Sequence, residues 1–386
     1  MNPWQGLKGL PRSIWMLSLS TLINRVGTMV MFFLTLYLVQ GRGWREEEAA
    51  TAMAVYGFGA LVASPFSGRL ADRIGQRRLL AWSLFTSALT ILLIPYTGPR
   101  VLLYPLIFLW SALTQAFWPA SMALITGLAT PEQRKQAFVL HRLASNLGIA
   151  VGPALGGFLA HYSYTSIFWI DGLTTLFGLV VLLAWVPDSP VDSHEGPPSG
   201  SGWRDRRLLG LLLGLLPAIL VFTQIHGTLP LWISRDLHHG TRMFGLVFTF
   251  NTLLILLLEV AINTRMAFWT HGHQLALGAL LIALGFGLTA FAGPLPLLAL
   301  SVIIWSVGEM ILLPASTDAA AALAPADRRG EYMGLYSMTW TLALTLGPWL
   351  GLLTYARLGP SFLWGGCAVV ALMSTGGLWR FRANAE

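Results

Sequence analysis

The chain has 386 residues, 55% of them hydrophobic and only 11% charged. Soluble domains carry about 25% charged residues, so this composition excludes an ordinary water-soluble enzyme or nucleic-acid-binding module. A net charge of +7 would suit an acidic partner if the basic residues formed one patch, but they are spread along the chain in a pattern that follows topology.

Twelve apolar stretches account for most of the length. They run over residues 13–39, 48–67, 79–96, 101–128, 137–160, 166–186, 208–233, 243–262, 274–292, 295–323, 332–355 and 361–379. The hydrocarbon core of a bilayer is about 30 Å thick and needs roughly 20 mostly apolar residues to cross it, so each is expected to span. The first stretch follows Lys8 and Arg12, as a secretory signal would. It is too long for one and is expected to remain as an uncleaved span. With the N-terminus placed in the cytoplasm, sixteen Lys and Arg near segment ends fall inside and six outside. That asymmetry satisfies the positive-inside rule with both termini cytoplasmic. Cys367 is the single cysteine, which rules out an intrachain disulfide and a cysteine-based metal site.

Residues 187–207 interrupt the apolar pattern with Pro, Ser, Gly and acidic residues, then a basic cluster. Such a composition predicts a flexible polar linker between an N-terminal half, 1–186, and a C-terminal half, 208–386, of six segments each. The halves echo one another. Pro119-Ala-Ser recurs as Pro314-Ala-Ser, Pro131 with Arg134-Lys135 as Pro325 with Arg328-Arg329, and Gly152-Pro153 with Gly156 as Gly347-Pro348 with Gly351. The offsets are 195, 194 and 195 residues. An even number of spans per half keeps the two repeats parallel, and transporters built from repeats bind cargo near the bilayer midplane between them.

Residues 68–78 read Gly-Arg-Leu-Ala-Asp-Arg-Ile-Gly-Gln-Arg-Arg. With the six-plus-six plan and central linker, this loop resembles the major facilitator superfamily over nearly the whole chain. Residues 148–157, Gly-Ile-Ala-Val-Gly-Pro-Ala-Leu-Gly-Gly, are similar to the Gly-Pro motif of its drug/proton antiporters. The resemblance implies an all-α integral membrane fold of twelve transmembrane helices in two parallel six-helix halves. It implies a secondary transporter working by alternating access, exchanging protons for an amphipathic or cationic small molecule. Such a protein would sit in the bacterial inner membrane as a monomer, with no cofactor, metal or nucleic acid. An exporter or importer of a specific metabolite such as a sugar is the alternative within transport. A non-transporting membrane sensor is the alternative outside it.

In the 68–78 loop, Gly68 and Gly75 permit tight turns. Asp72 lies among Arg69, Arg73, Arg77 and Arg78. The resemblance makes Asp72 a latch on the start of the eleventh span, whose helix dipole favours an anion; a solvated turn is the other reading. Gly148, Gly152 and Gly156 lie along one helix face, which allows close helix approach. Pro153 bends the span, and Gly157, Gly347 and Pro348 complete the motif and its repeat.

Ionisable residues within spans are functional candidates by default. Glu309, in the tenth segment, is the first candidate for proton coupling, with Asp171 second. Trp305 falls one turn before Glu309 and would supply an aromatic wall for a lipophilic cation. Arg25, beside Asn24, would pair a carboxylate, Glu309 among those considered, or cap carbonyls. His226 has an ordinary pKa near neutrality. Residues 111–115, Ser-Ala-Leu-Thr-Gln, hold no arginine where many antiporters have one, leaving Gln115 as the polar candidate there. His141, Arg142, Glu259 and Asp318 are expected near the cytoplasmic surface. No Walker A loop, dinucleotide fingerprint or Gly-x-Ser-x-Gly occurs, so neither ATP-driven transport nor catalysis is expected.

Overall fold

A computed structural model of the protein describes residues 9–130, 133–188, 202–238, 240–266, 268–325 and 329–381, apart from the side chains of 64–69, 71–73, 135, 329 and 330. Among these residues the secondary structure is helical throughout. A helix satisfies every backbone donor and acceptor inside one segment, as lipid requires. Ten helical stretches are long and apolar enough to cross a membrane. The expected second and eleventh segments fall in α3 (Glu46–Ile74) and α14 (Arg329–Leu358), which are not among the ten. Both are long; α14 carries Gly, Thr and Tyr where the others carry Leu and Ile, and in α3 the side chains of 64–69 and 71–73 lie outside the described residues.

The chain forms two compact units, Met1–Tyr37 with Val55–Glu195, and Leu38–Ala54 with Gly196–Glu386. The linker is therefore not the only boundary. Leu38–Ala54, from the first half of the sequence, groups with the second unit. Most of 187–207 lies outside the described residues.

In the first unit, α1 (Arg12–Gly27) packs against α7 (Arg134–Tyr162) and α8 (Tyr164–Trp185), and α8 packs on α4 (Gln76–Leu93). Ile14, Leu17, Leu80, Leu84, Phe117, Leu124 and Leu182 are buried together at one such junction. Two segments are broken. The first divides at Thr28 into α1 and α2 (Val30–Leu36), because Thr28 adopts ψ 64°. The fourth divides at Ala116 into α5 (Arg100–Gln115) and α6 (Phe117–Leu128).

In the second unit, α12 (His271–Leu288) packs against α13 (Leu295–Leu323) and α15 (Pro360–Trp379). Their shared core includes Ile282, Phe286, Trp305 and Trp364. The seventh segment divides at a 3-10 turn, Thr223–His226, into α9 (Arg206–Phe222) and α10 (Thr228–Arg235). Asp205 caps α9 by accepting from the Arg207 and Leu208 N–H groups at 2.8 and 3.4 Å and takes the Tyr332 hydroxyl at 2.7 Å. Burial pushes its carboxyl up, but those donors outweigh it and hold the group below the usual carboxylate range. Along α11 (Gly240–Met266), Leu253, Leu257 and Val260 are exposed. Such a row would be an aggregation liability in water and is an ordinary lipid-facing surface in a bilayer.

Candidate functional site

Asp171 and Glu309 each sit in a cluster of polar residues inside the helices, one in each unit. Asp171 anchors the first. Its carboxylate accepts from the backbone N–H groups of Met29 and Val30 at 3.2 and 3.1 Å. These are orphan donors created by the break at Thr28, so Asp171 caps α2 from a helix 141 residues away. One turn on, Asn24 donates to the Thr175 hydroxyl at 3.1 Å. Asp171 is buried, and both candidates are tied to holding the broken first segment against α8.

Arg25 precedes the same break. Its guanidinium carbon lies 5.3 Å from the Phe117 ring centroid and 5.8 Å from that of Trp118, both at the start of α6. Gln115 ends α5 just before them. His141, expected near the cytoplasmic surface as a gate-related or solvated residue, is fully buried rather than solvated, two turns into α7 and facing the first segment. Its Nδ1 is 3.5 Å from the Thr21 hydroxyl and its ring 5.5 Å from Trp118. The sequence placed it by distance from a basic loop; the structure places it by helix face.

The glycine face of α7 accounts for this closeness. A Cβ on Gly152 would lie 3.0 Å from the carbonyl oxygen of Val26, and one on Gly156 2.7 Å from Phe33 Cε2. On Gly148 it would strike Arg25 Cβ. Pro153 and Gly157 are buried in the same stretch. In the second unit the repeated motif does the same against the seventh segment. A Cβ on Gly347 would lie 2.8 Å from the Leu220 oxygen, and one on Gly351 would strike Gln224 Oε1, while Pro348 packs on Gly227. Gln224 donates to the Gly347 carbonyl at 2.8 Å. His226 ends the 3-10 turn beside it.

Glu309 anchors the second cluster. It is the central residue of the 29-residue α13, half-buried, and its Oε2 accepts from Asn251 Nδ2 at 2.9 Å. The same amide reaches the Ser306 hydroxyl at 2.9 Å. Asn251 sits mid-way along α11, and a lone Asn in an apolar run carries no charge to single it out in the sequence. Trp305 is 2% exposed and packs on Phe286 and Phe222. It is a packing residue of α12 and α13 rather than an open wall. At the end of α13, Asp318 pairs with His271 at 2.9 Å.

The 68–78 loop is described only in part. Gly75 has φ +88°, the left-handed region that favours glycine, and opens the turn into α4. Arg77 donates to the Leu183 carbonyl at 2.8 Å and lies 3.8 Å from Asp188, while Arg78 is exposed. Gly68, Arg69, Asp72 and Arg73 fall outside the described side chains. Among the described residues no group of three metal-ligating side chains forms.

A sequence profile of the Major Facilitator Superfamily matches residues 17–266 and 211–386. The chain belongs to that superfamily. It is therefore a multi-pass membrane transport protein, with a small molecule as cargo. Multidrug resistance protein MdtH of Citrobacter koseri is 24% identical over 95% of this chain and 94% of its own length. A Na(+), Li(+), K(+)/H(+) antiporter of Planococcus maritimus is 22% identical over 83% and 84%. Among solved structures, a peptide transporter POT crystallised with sulfate superposes with a TM-score of 0.81 at 18% identity, over 97% of this chain and 95% of that one. At that identity the likeness concerns the fold.

Proposed function

We propose that this superfamily member is a proton-coupled exporter of amphipathic small molecules, working by alternating access between two parallel halves of six spans. The observation that carries the reading is Glu309. A carboxyl at the centre of a long apolar helix, held by a neutral amide, can lose and regain a proton without breaking an ion pair, which a coupling site requires. A cationic group on the cargo would suit the same carboxylate. The relatives named for multidrug resistance and for cation/proton antiport support exchange over uniport. Both termini and the 187–207 linker are cytoplasmic in this reading, the protein sits in the bacterial inner membrane as a monomer, and Asp72 latches the cytoplasmic side. The peptide transporter's shared fold supports a second reading, import of a specific metabolite.

Flux of ethidium into inverted membrane vesicles, with and without a pH gradient, tests this. Accumulation that collapses with the gradient supports proton-coupled export. Gradient-driven efflux from the vesicles instead would support import, and no flux at either setting would sink the transport of this cargo class.

A further inference from the structure

Among the described residues Arg25 makes no hydrogen bond, and its buried Nε has no acceptor. A guanidinium carries five N–H donors, and leaving them unmet away from bulk water is expensive. Tyr56 and Asp171 are close enough to act on it electrostatically, and Asp171, whose Oδ2 accepts from the Met29 and Val30 N–H groups, forms no ion pair with it among the described residues. Arg25 as a residue is only partly buried, and of its side-chain nitrogens Nε alone is fully enclosed without a partner. Beside the guanidinium stand Phe117, buried, and Trp118, 41% exposed. Trp118 also meets the buried ring of His141, whose Nε2 lacks any partner.

We propose that this corner of the first unit is an anion subsite: Arg25 takes a carboxylate, sulfonate or phosphate group of an amphipathic cargo, whose apolar ring rests on Trp118. A planar fork of donors matches a carboxylate bidentately. The flanking rings hold the fork in place by cation–π contact and give an aromatic acid its second point of attachment. That the bound anion is cargo rests on the transport reading; the binding itself does not need it. Organic acids and zwitterions bearing an apolar body would then be cargo beside the cations that Glu309 suits.

The test is equilibrium binding of radiolabelled salicylate to the full-length protein in phosphatidylcholine nanodiscs, with salicylamide as the uncharged competitor of the same shape. Saturable binding is expected, with salicylamide about tenfold or more weaker as a competitor. Arg25→Gln should abolish binding, Arg25→Lys should retain part of it, and Trp118→Ala should weaken both competitors alike. Equal competition by salicylamide, or unchanged affinity in Arg25→Gln, overturns the proposal. If Arg25→Gln does not fold, the salicylate-to-salicylamide ratio on the unaltered protein decides alone. Anionic phosphatidylglycerol in the nanodiscs should leave salicylate affinity unchanged; a loss there would assign the subsite to a lipid headgroup and overturn the cargo assignment. Ethidium flux is measured in parallel. Flux without salicylate binding removes the anion subsite only, and salicylate binding without flux removes the transport reading only.

Discussion

Asn251 holds Glu309 by a single amide, donating to Oε2 at 2.9 Å while the same nitrogen reaches the Ser306 hydroxyl. An amide donor serves a carboxylate and a neutral acid alike, because either form keeps an oxygen that can accept. Glu309 can therefore change charge without losing its position. Glu309→Gln keeps that acceptor and permanently mimics the protonated acid. Accumulation driven by a pH gradient should fall to background in this variant, with downhill exchange of substrate retained. Glu309→Asp should keep partial activity with a shifted pH optimum. Uphill transport at the unaltered rate in Glu309→Gln would move the coupling proton elsewhere.

Asp171 poses the opposite case. Its carboxylate closes two backbone donors left open by the break at Thr28. Asp171→Ala should destabilise the protein by roughly 1–3 kcal/mol, the cost of leaving buried donors unmet. Asp171→Asn keeps one acceptor oxygen and should lose less. Thermal unfolding in detergent, read beside transport per folded molecule, separates the roles. A stable Asp171→Asn protein that has lost coupling would show that Asp171 carries the proton.

Gly152 lies where α7 meets the carbonyls of α1, 3.0 Å from Val26 O at the position a Cβ would take. Backbone cannot yield as a flexible side chain can. Gly152→Leu should abolish transport while leaving measurable protein in the membrane, and Gly152→Ala should reduce it less. Full flux in the leucine variant would mean that the two helices separate there at little cost.

Glu46 and Arg235 form an ion pair in the second unit, with Arg357 on Glu47 at 3.4 Å beside it. Burial pushes the Glu46 carboxyl up, but its backbone hydrogen bond and Arg235 outweigh that and bring it below its usual value. A lowered carboxylate pKa adds stability that is present above the unfolded value of about 4.3 and is lost as pH falls through the folded one. The pair should therefore be indifferent to pH between about 6 and 8. Arg235 is 49% exposed, and such pairs contribute about 1 kcal/mol or less. Glu46→Gln should leave the melting temperature nearly unchanged, yet raise the labelling rate of a cysteine introduced at Ser234, which accepts from Gln40 in the same cluster. Unchanged labelling would reduce the pair to a surface contact.

Membrane insertion, the helical class and the superfamily were all legible in the chain. Each depends on signals that are local in sequence. Lipid fixes the length and apolarity of a spanning helix, and a glycine every four residues marks a close helix contact whatever the partner is. The loop at 68–78 could be read for the same reason, as a contiguous string. Tertiary structure alone supplied the partners. Asn251 and Glu309 are 58 residues apart, and Asp171 and Val30 are 141 apart. Nothing within one span records which helix it will face. His141 shows the consequence. Counting from the nearest basic loop says only how far along the span it lies, whereas the face of α7 decides that it is buried against α1. Trp305 and Leu38–Ala54 follow the same rule. Which side chain packs inward and which compact unit a segment joins are decided by contacts between helices distant in sequence, and the pattern along a single helix does not contain them.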